Sequence, residues 1–286
     1  MKYVITSYNK NTKIDGDGGF NEYFELGWEL SLSRLCLISM IKKGLFNSDE
    51  DTVVTNQSRE FLYSSFCKNV LSYESFANLK LEESDDVYDL STEILNNAGY
   101  GKPSSATHLW NSENLNTSSP YPYTIEHAPE ICKFDLLDIN KIMKCDKDFI
   151  CFVIRKRKWS NGRNLKEHEI EKILNFAKQK NLAVYIVGKN TESYANPSND
   201  VYHVEFQEFT TLINSERCKA LITSASGISM IRFFTGICKM ITFDLNKEYN
   251  PHFPLWGGDT VIFSDLKLKN KWLILNNFNE KILETI

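Results

Sequence analysis

Residues 219–244 read KALITSASGISMIRFFTGICKMITFD, and the order of residue types here restricts the fold more than any other stretch. An apolar run fit for a strand (220–223) leads into a turn of small residues, Ser224, Ala225, Ser226 and Gly227. A helix is expected over 228–234, Gly236 stops it, and a second apolar strand covers 239–243. Strands that are apolar throughout, rather than alternating, suit a sheet buried on both faces. A strand–helix–strand unit of this length makes that sheet parallel.

The rest of the chain repeats the alternation. Residues 2–6 form an expected first strand, followed by a polar, Gly-bearing loop (9–19). Residues 21–43 show helical spacing through Phe24, Trp28, Leu32, Leu35 and Ile38, with Gly44 as a stop. Strands are expected at 52–55, 70–73 and 86–90, and a helix at 58–67. Residues 97–129 are rich in Asn, Ser, Pro and Tyr without a period, as in a long surface loop or domain connection. Then come a strand (148–154), an amphipathic helix (165–179), strands at 182–187 and 201–204, and a helix at 208–217. After the opening stretch a last strand (260–264) and a terminal helix (272–286) complete the chain. The expected fold class is α/β, with two parallel sheets parting near residues 140–147.

Two further features fall in the second half. The strand at 148–154 runs into Arg155, Lys156, Arg157, Lys158, Trp159, Ser160, Asn161, Gly162, Arg163 and Asn164. Ligands of doubly wound sheets sit beyond the C-terminal ends of strands, where five cations suit phosphates and Arg can grip a phosphate bidentately. Read without a ligand, the same run is a solvated basic loop. Val187-Gly188-Lys189 ends the next strand, where Gly188 allows a close approach to a ligand or simply stops the strand. The turn Ser224–Ser229 offers unpaired N–H groups and a partial positive charge at a helix start, an anion cradle. The same turn also fits an ordinary connection in which Ser226 caps the helix.

Bulk properties remove several classes. The 286 residues carry a net charge of −4, which gives no electrostatic case for a nucleic-acid partner. No apolar run approaches the ~20 residues of a transmembrane span. The start, MKYVITSY, lacks the apolar core of a signal peptide. The cysteines (36, 67, 132, 145, 151, 218, 238) form no CxxC pair and lie mostly in apolar runs, as buried free thiols of a reducing, cytoplasmic setting do. The scattered histidines (108, 127, 168, 203, 252) give no metal site. No GxGxxG follows the first strand and no GxxxxGK[ST] occurs, which disfavours a dinucleotide oxidoreductase and a P-loop ATPase.

Taken in order, the second half has a strand, a basic loop ending Arg163-Asn164-Leu165, a helix, a strand ending Val187-Gly188, a helix, a strand, the Ser-Gly turn, a helix and a strand. This pattern resembles the nucleotide-binding domain of GT-B glycosyltransferases, most closely the heptosyltransferase-like family. That family's turn often reads D-[ST]-G-x-x-H. Here Ala225-Ser226-Gly227-Ile228-Ser229-Met230 keeps the Ser-Gly core, with Ala225 and Met230 in the places of the acid and the His. The loop 246–259, NKEYNPHFPLWGGD, is similar to the Pro- and Gly-bearing loop after the next strand. The resemblance spans roughly residues 148–265.

The resemblance implies two Rossmann-like parallel-sheet domains facing a cleft: 1–145 on the acceptor side, and 146–286 holding a nucleotide sugar, its terminal helix free to cross back. It implies a metal-independent transferase with no cofactor, the nucleotide sugar being a substrate. Arg155, Arg157 and Arg163 would pair with phosphates, with Asn164, Gly188 and Lys189 beside them. Ser224, Ala225 and Ser229 would complete the turn whose N–H groups at Ser226, Gly227 and Ile228 take the diphosphate. Glu205 reads first as a solvated loop carboxylate and second as a ribose ligand. An inverting transfer needs a base on the acceptor hydroxyl. The loop after the first strand supplies Asp17 as first choice, then Glu22 and Glu25. Asp17 also fits a flexible D-G-D-G-G turn, and the loop lacks the ligand spacing of a calcium-binding EF-hand. Trp256 is the candidate acceptor contact, ahead of Trp110, Tyr121, Tyr123 and Phe253. The acceptor would be a glycan or other hydroxyl compound, reached at a membrane surface if it is lipid-linked. Two other classes stand beside this one: a sugar-nucleotide epimerase or phosphate-ester enzyme on a related scaffold, and a silent nucleotide- or glycan-binding protein.

Overall fold

The computed structural model describes residues 1–7, 29–91, 133–156, 162, 164–188, 190–224, 226–228, 231, 235–243, 272–275 and 277–286. These fall into two compact units that part between Asp135 and Leu136.

In the first unit, β1 (Lys2–Ile5), β2 (Thr52–Thr55), β3 (Asn69–Ser72) and β4 (Asp86–Tyr88) form a parallel sheet in the order β3-β2-β1-β4. The two central strands are the buried ones, while β3 and β4 stand at the edges with partly exposed side chains. Glu29–Ser33 makes a π-helical turn that leads into α1 (Arg34–Lys42). The stop at Gly44 has a backbone reason. Its φ of +69° is the left-handed conformation that closes a helix, and its N–H and that of Leu45 return to the carbonyls of Ile41 and Met40. Ser72 caps the short α2 (Tyr73–Ala77) through the N–H of Ser75 at 3.1 Å.

The second unit holds a six-stranded parallel sheet. Its strands are β5 (Phe149–Val153), β6 (Ala183–Val187), β7 (Val201–His203), β8 (Cys218–Ser224), β9 (Lys239–Phe243) and β10 (Trp272–Leu275), in the order β10-β9-β8-β5-β6-β7. All five residues of β5 and of β6 are buried, as the unbroken apolar runs require. Alternate residues serve opposite faces. Ile150, Phe152, Val184 and Ile186 pack with Ile170, Ile173, Phe176 and Ala177 of α4 (Glu167–Gln179). On the other face Phe149 meets Tyr185 edge-on at 5.0 Å. Two short helices, α3 (Ile139–Ile142) and α5 (Phe206–Leu212), pack against each other.

Three expectations need correction. Residues 272–286 are not one helix. Trp272–Leu275 pairs with β9 as an edge strand, and the helical part is a 3₁₀ turn, Glu280–Thr285, packed by α4. The run Trp-Leu-Ile-Leu is short and apolar, which suits a strand as well as a helix, and sheet pairing decides. Residues 58–67 form only a 3₁₀ turn, Glu60–Leu62, because the consecutive Phe61, Leu62 and Tyr63 are all buried, more than one helix face can turn inward. The helix expected at 208–217 is Phe206–Leu212, since Cys218 already opens β8. The expected loops at 9–19 and 97–129, the strand at 260–264 and most of the helix at 228–234 lie outside the described residues.

Arg34 is a buried charge of the first unit. It is fully buried, donates from Nε to the Leu62 carbonyl at 2.8 Å and from Nη2 to the Lys133 carbonyl at 2.7 Å, and lies 4.2 Å from the Phe134 ring centre. Hydrogen bonds to a charged group contribute about 1.5–3 kcal/mol each. Arg34→Met should therefore lower unfolding free energy by about 3 kcal/mol or more in urea titration. A loss under about 1 kcal/mol would show that the guanidinium is dispensable to this unit.

Candidate functional site

The order of the six-stranded sheet locates the site. Read from β7, the strands follow chain order third, second, first, fourth, fifth, sixth within the unit. The connections therefore leave in opposite directions from β5 and β8, and a crevice opens beyond the ends of those two strands. Val153 of β5 pairs with Val187 of β6 and Thr223 of β8. Arg155, Gly188 and Ser224, the residues at or just past these positions, are thus brought to three adjacent strand ends.

Each has a definite local state. Arg155 is buried, and its Nη1 donates to Asn164 Oδ1 at 2.7 Å, which ties the start of the basic loop to its end. Gly188 has φ +151°, and a Cβ there would lie 2.2 Å from the Ile154 carbonyl oxygen, so no side chain fits between β5 and β6 at this level. Its own carbonyl accepts from Thr191 Oγ1 at 2.7 Å. Ser224 Oγ is buried and makes no hydrogen bond. Ser226, Gly227 and Ile228 follow it, each half-buried. Asn214 braces the far side of this segment, its Oδ1 accepting from Thr235 Oγ1 at 2.7 Å and from the Gly236 N–H at 2.9 Å.

Glu205 stands apart. It is exposed at the start of α5, beyond β7, two strands from β5, and its N–H donates to Glu208 Oε2 at 2.9 Å. Of the other sequence candidates, Asp17, Glu22, Glu25, Arg157, Arg163, Lys189, Ala225, Ser229 and Trp256 lie outside the described residues.

Lys156 is committed elsewhere. Its ammonium lies 3.0 Å from Glu167 Oε1 and 4.4 Å from the Tyr194 ring centre, while Tyr194 OH donates to Glu167 Oε2 at 2.6 Å. The Tyr194 hydrogen bond, then that of Lys156, holds the Glu167 carboxyl below the usual glutamate range. Hydrogen bonding to Tyr194 and then Glu167 holds the Lys156 ammonium above its ordinary value. Lys156 is therefore less of a free cation than its place in the sequence suggests.

A second polar cluster sits at the ends of β1 and β2, and the sequence reading missed it. Glu29 is fully buried. Its carboxylate accepts from Thr55 Oγ1, from Tyr63 OH at 3.1 Å and from Arg59 Nη1 at 2.7 Å. Arg59 Nη1 also donates to Ser7 Oγ at 3.2 Å, and Asn56 Nδ2 donates to the same hydroxyl at 2.6 Å. Thr55-Asn56 followed by Arg59, a polar string at a strand end, was the signal available in the sequence.

Thiol chemistry is not favoured at either place. Cys36, Cys67, Cys151, Cys218 and Cys238 are buried free thiols, and burial pushes Cys67 up to about 12 and raises Cys151 and Cys218 as well. Among the described residues, no three His, Cys, Asp or Glu side chains gather as a metal-binding group, and no helix is long and apolar enough to cross a membrane.

No protein-family model matches the chain, and no curated protein matches it by sequence. Solved structures do. The ADP-heptose LPS heptosyltransferase II of E. coli aligns with a TM-score of 0.53 at 12% identity, over 99% of this chain and 97% of that one. The E. coli heptosyltransferase WaaC with ADP gives 0.47 at 8% identity, over 100% and 97%. The first likeness shows that the chain has the two-sheet α/β fold of a GT-B heptosyltransferase.

The Lys156–Glu167–Tyr194 group has a pH signature. A carboxyl held low adds stability above its ordinary pKa and loses it as pH falls through the folded value. An ammonium held high adds stability below its ordinary pKa and loses it as pH rises through the folded value. Both contributions therefore coexist between these limits. In Tyr194→Phe the Glu167 carboxyl, followed by NMR, should titrate closer to the usual glutamate value. An unchanged titration would show that the phenol does not hold it.

Proposed function

We propose that this chain is a glycosyltransferase that moves a sugar from a nucleotide sugar to a hydroxyl acceptor, with inversion and without a metal ion. The observation that carries the reading is the meeting of Arg155, Gly188 and Ser224 at three adjacent strand ends around the point where the sheet order reverses. The fold supports it, since heptosyltransferase II is named for ADP-heptose.

In this reading the diphosphate lies beyond β5 and β8. Arg155 offers a guanidinium whose direction is fixed by Asn164. Ser224 offers a hydroxyl that is otherwise unsatisfied; a buried polar group without a partner costs about 1–3 kcal/mol, which a phosphate oxygen would relieve. The N–H groups of Ser226, Gly227 and Ile228 add neutral donors, and Arg157 and Arg163 add charge. Gly188 lets the end of β6 lie close against the Ile154 carbonyl beside the proposed donor site. The base, Asp17 first and Glu22 or Glu25 next, takes the acceptor hydroxyl proton as the oxygen attacks the anomeric carbon. The bond from that carbon to the diphosphate breaks, and the leaving diphosphate keeps the electron pair and is stabilised by the cations. Trp256 is the proposed acceptor contact, and the acceptor is a glycan or a lipid-linked hydroxyl compound.

Calorimetry with UDP, GDP, ADP and CMP in excess chelator tests the donor half. One of them should bind, and Arg155→Ala should weaken it by about 1.5–3 kcal/mol, the range for a hydrogen bond to a charged group. Binding that appears only when magnesium or manganese is restored would end the metal-independent mechanism. On the acceptor side, Asp17→Asn should keep nucleotide affinity and lose ~10²–10⁴-fold in kcat. Normal turnover would remove Asp17 from the mechanism.

A further inference from the structure

Arg155 leaves β5 between two residues that are held from outside the strand. Before it, the Ile154 N–H donates to the Val187 carbonyl at 3.1 Å. The Ile154 carbonyl lies against Gly188, where a Cβ would come within 2.2 Å. After it, the Lys156 ammonium lies 4.4 Å from the Tyr194 ring centre and 3.0 Å from Glu167 Oε1. A guanidinium sits at the end of a long, flexible stem. Its direction is only as fixed as the backbone that carries it and the group that holds its tip. Asn164 holds the tip, so the backbone is the other half.

Both neighbours of Arg155 meet the segment that follows β6. Thr191 is fully buried, and its Oγ1 donates to the Gly188 carbonyl at 2.7 Å. The Thr191 carbonyl accepts the Tyr194 N–H at 3.0 Å in the 3₁₀ turn Glu192–Tyr194. The Tyr194 ring is half-buried and packs on the core shared by β5, β6 and α4. Its hydroxyl donates to Glu167 Oε2, in the first turn of α4, at 2.6 Å. The exit of β5, the start of α4 and the turn after β6 therefore meet at Tyr194. Lys156 and Glu167 are exposed, and exposed ion pairs contribute little to stability. What the contact sets is the course of the chain one residue beyond Arg155.

We propose that Tyr194 is a positioning residue for nucleotide binding: seated against Lys156, it fixes the chain on the far side of Arg155 and so aims the guanidinium at the diphosphate. This rests on the donor site assigned above. Tyr194 touches no phosphate in this arrangement and acts through Arg155. A residue that acts through another loses its effect once the other is removed, whereas a direct ligand adds its own loss. A residue that serves the fold alone alters melting and leaves affinity as it was.

The test is a double-mutant cycle on the full chain, with Tyr194→Ala, Arg155→Ala and the pair. Affinity is read by calorimetry with the tightest-binding of UDP, GDP, ADP and CMP, and Arg155 side-chain order by NMR relaxation of its Nε–H. Tyr194→Ala should weaken binding by about 2–30-fold, the range for a residue that acts without touching the ligand. The pair should bind no worse than Arg155→Ala alone. Tyr194→Phe keeps the ring beside Lys156 and should keep most of the affinity. Lys156→Met removes the ammonium from the ring and should match Tyr194→Ala, again without adding to Arg155→Ala. Phe176→Leu loosens the same core near the far end of α4 and should melt earlier at unchanged affinity. Unchanged affinity in Tyr194→Ala, losses that add in the pair, or an equal loss in Phe176→Leu would overturn the proposal. If the unaltered chain binds none of the four nucleotides, the donor reading fails on its own. Relaxation then decides the positioning: an Arg155 Nε–H that becomes mobile in Tyr194→Ala supports it, and one as rigid as in the unaltered chain overturns it.

Discussion

Backbone hydrogen bonding in the six-stranded sheet is the constraint from which the rest follows. In a parallel sheet every central strand spends its N–H and C=O groups on two neighbours, and its side chains cover both faces. β5 does this along its whole length, pairing with β6 on one side and β8 on the other. Neither face is left for a ligand, and parallel strands all finish at one edge. Polar chemistry has to gather where the strands stop. Because the chain turns away in opposite directions after β5 and β8, that edge is parted between them, and Arg155 and Ser224 stand on either side of the parting.

Charge placement shows how the protein handles the cost of polar groups there. Burying a charge without partners is expensive, and among the described residues several buried or half-buried ions are held by neighbours. Arg155 is tied to Asn164, Lys156 to Glu167 and Tyr194, and Arg34 to two carbonyls and a ring. Glu29 and Arg59 satisfy each other inside a set of hydroxyls. These braces fix the direction of the groups they hold, which is what preorganised binding and catalysis need. Ser224 and Asn56 each keep a buried side-chain oxygen without a hydrogen bond, and each sits at a strand end.

The strands were the legible part of the sequence. Ile150-Cys151-Phe152 and Ala183-Val184-Tyr185 admit few structures other than buried strands, and the turn at Ser224–Gly227 marked a strand end without any coordinates. Tertiary pairing was harder to foresee. Trp272–Leu275 carries apolar residues compatible with a helix, and only the open edge of β9 makes it a strand. The basic loop showed the right residue types but not their partners. Nothing in the sequence said that Lys156 would be drawn to a glutamate eleven positions on and to Tyr194 further still. The Glu29 cluster was hidden for the same reason, since its members come from four separate segments and meet only when β1 and β2 pair.

The central claim is that a nucleoside diphosphate binds at the parted strand ends of the second unit. A crystal structure with the tightest-binding nucleoside diphosphate tests it most directly. The account places the phosphates beyond β5 and β8, within hydrogen-bond reach of the N–H groups of Ser226, Gly227 and Ile228 and of the Arg155 guanidinium. Phosphates found at the opposite edge of the sheet, beside Lys147, Lys180 and Arg217, or at the β1 and β2 ends of the first unit, would contradict it.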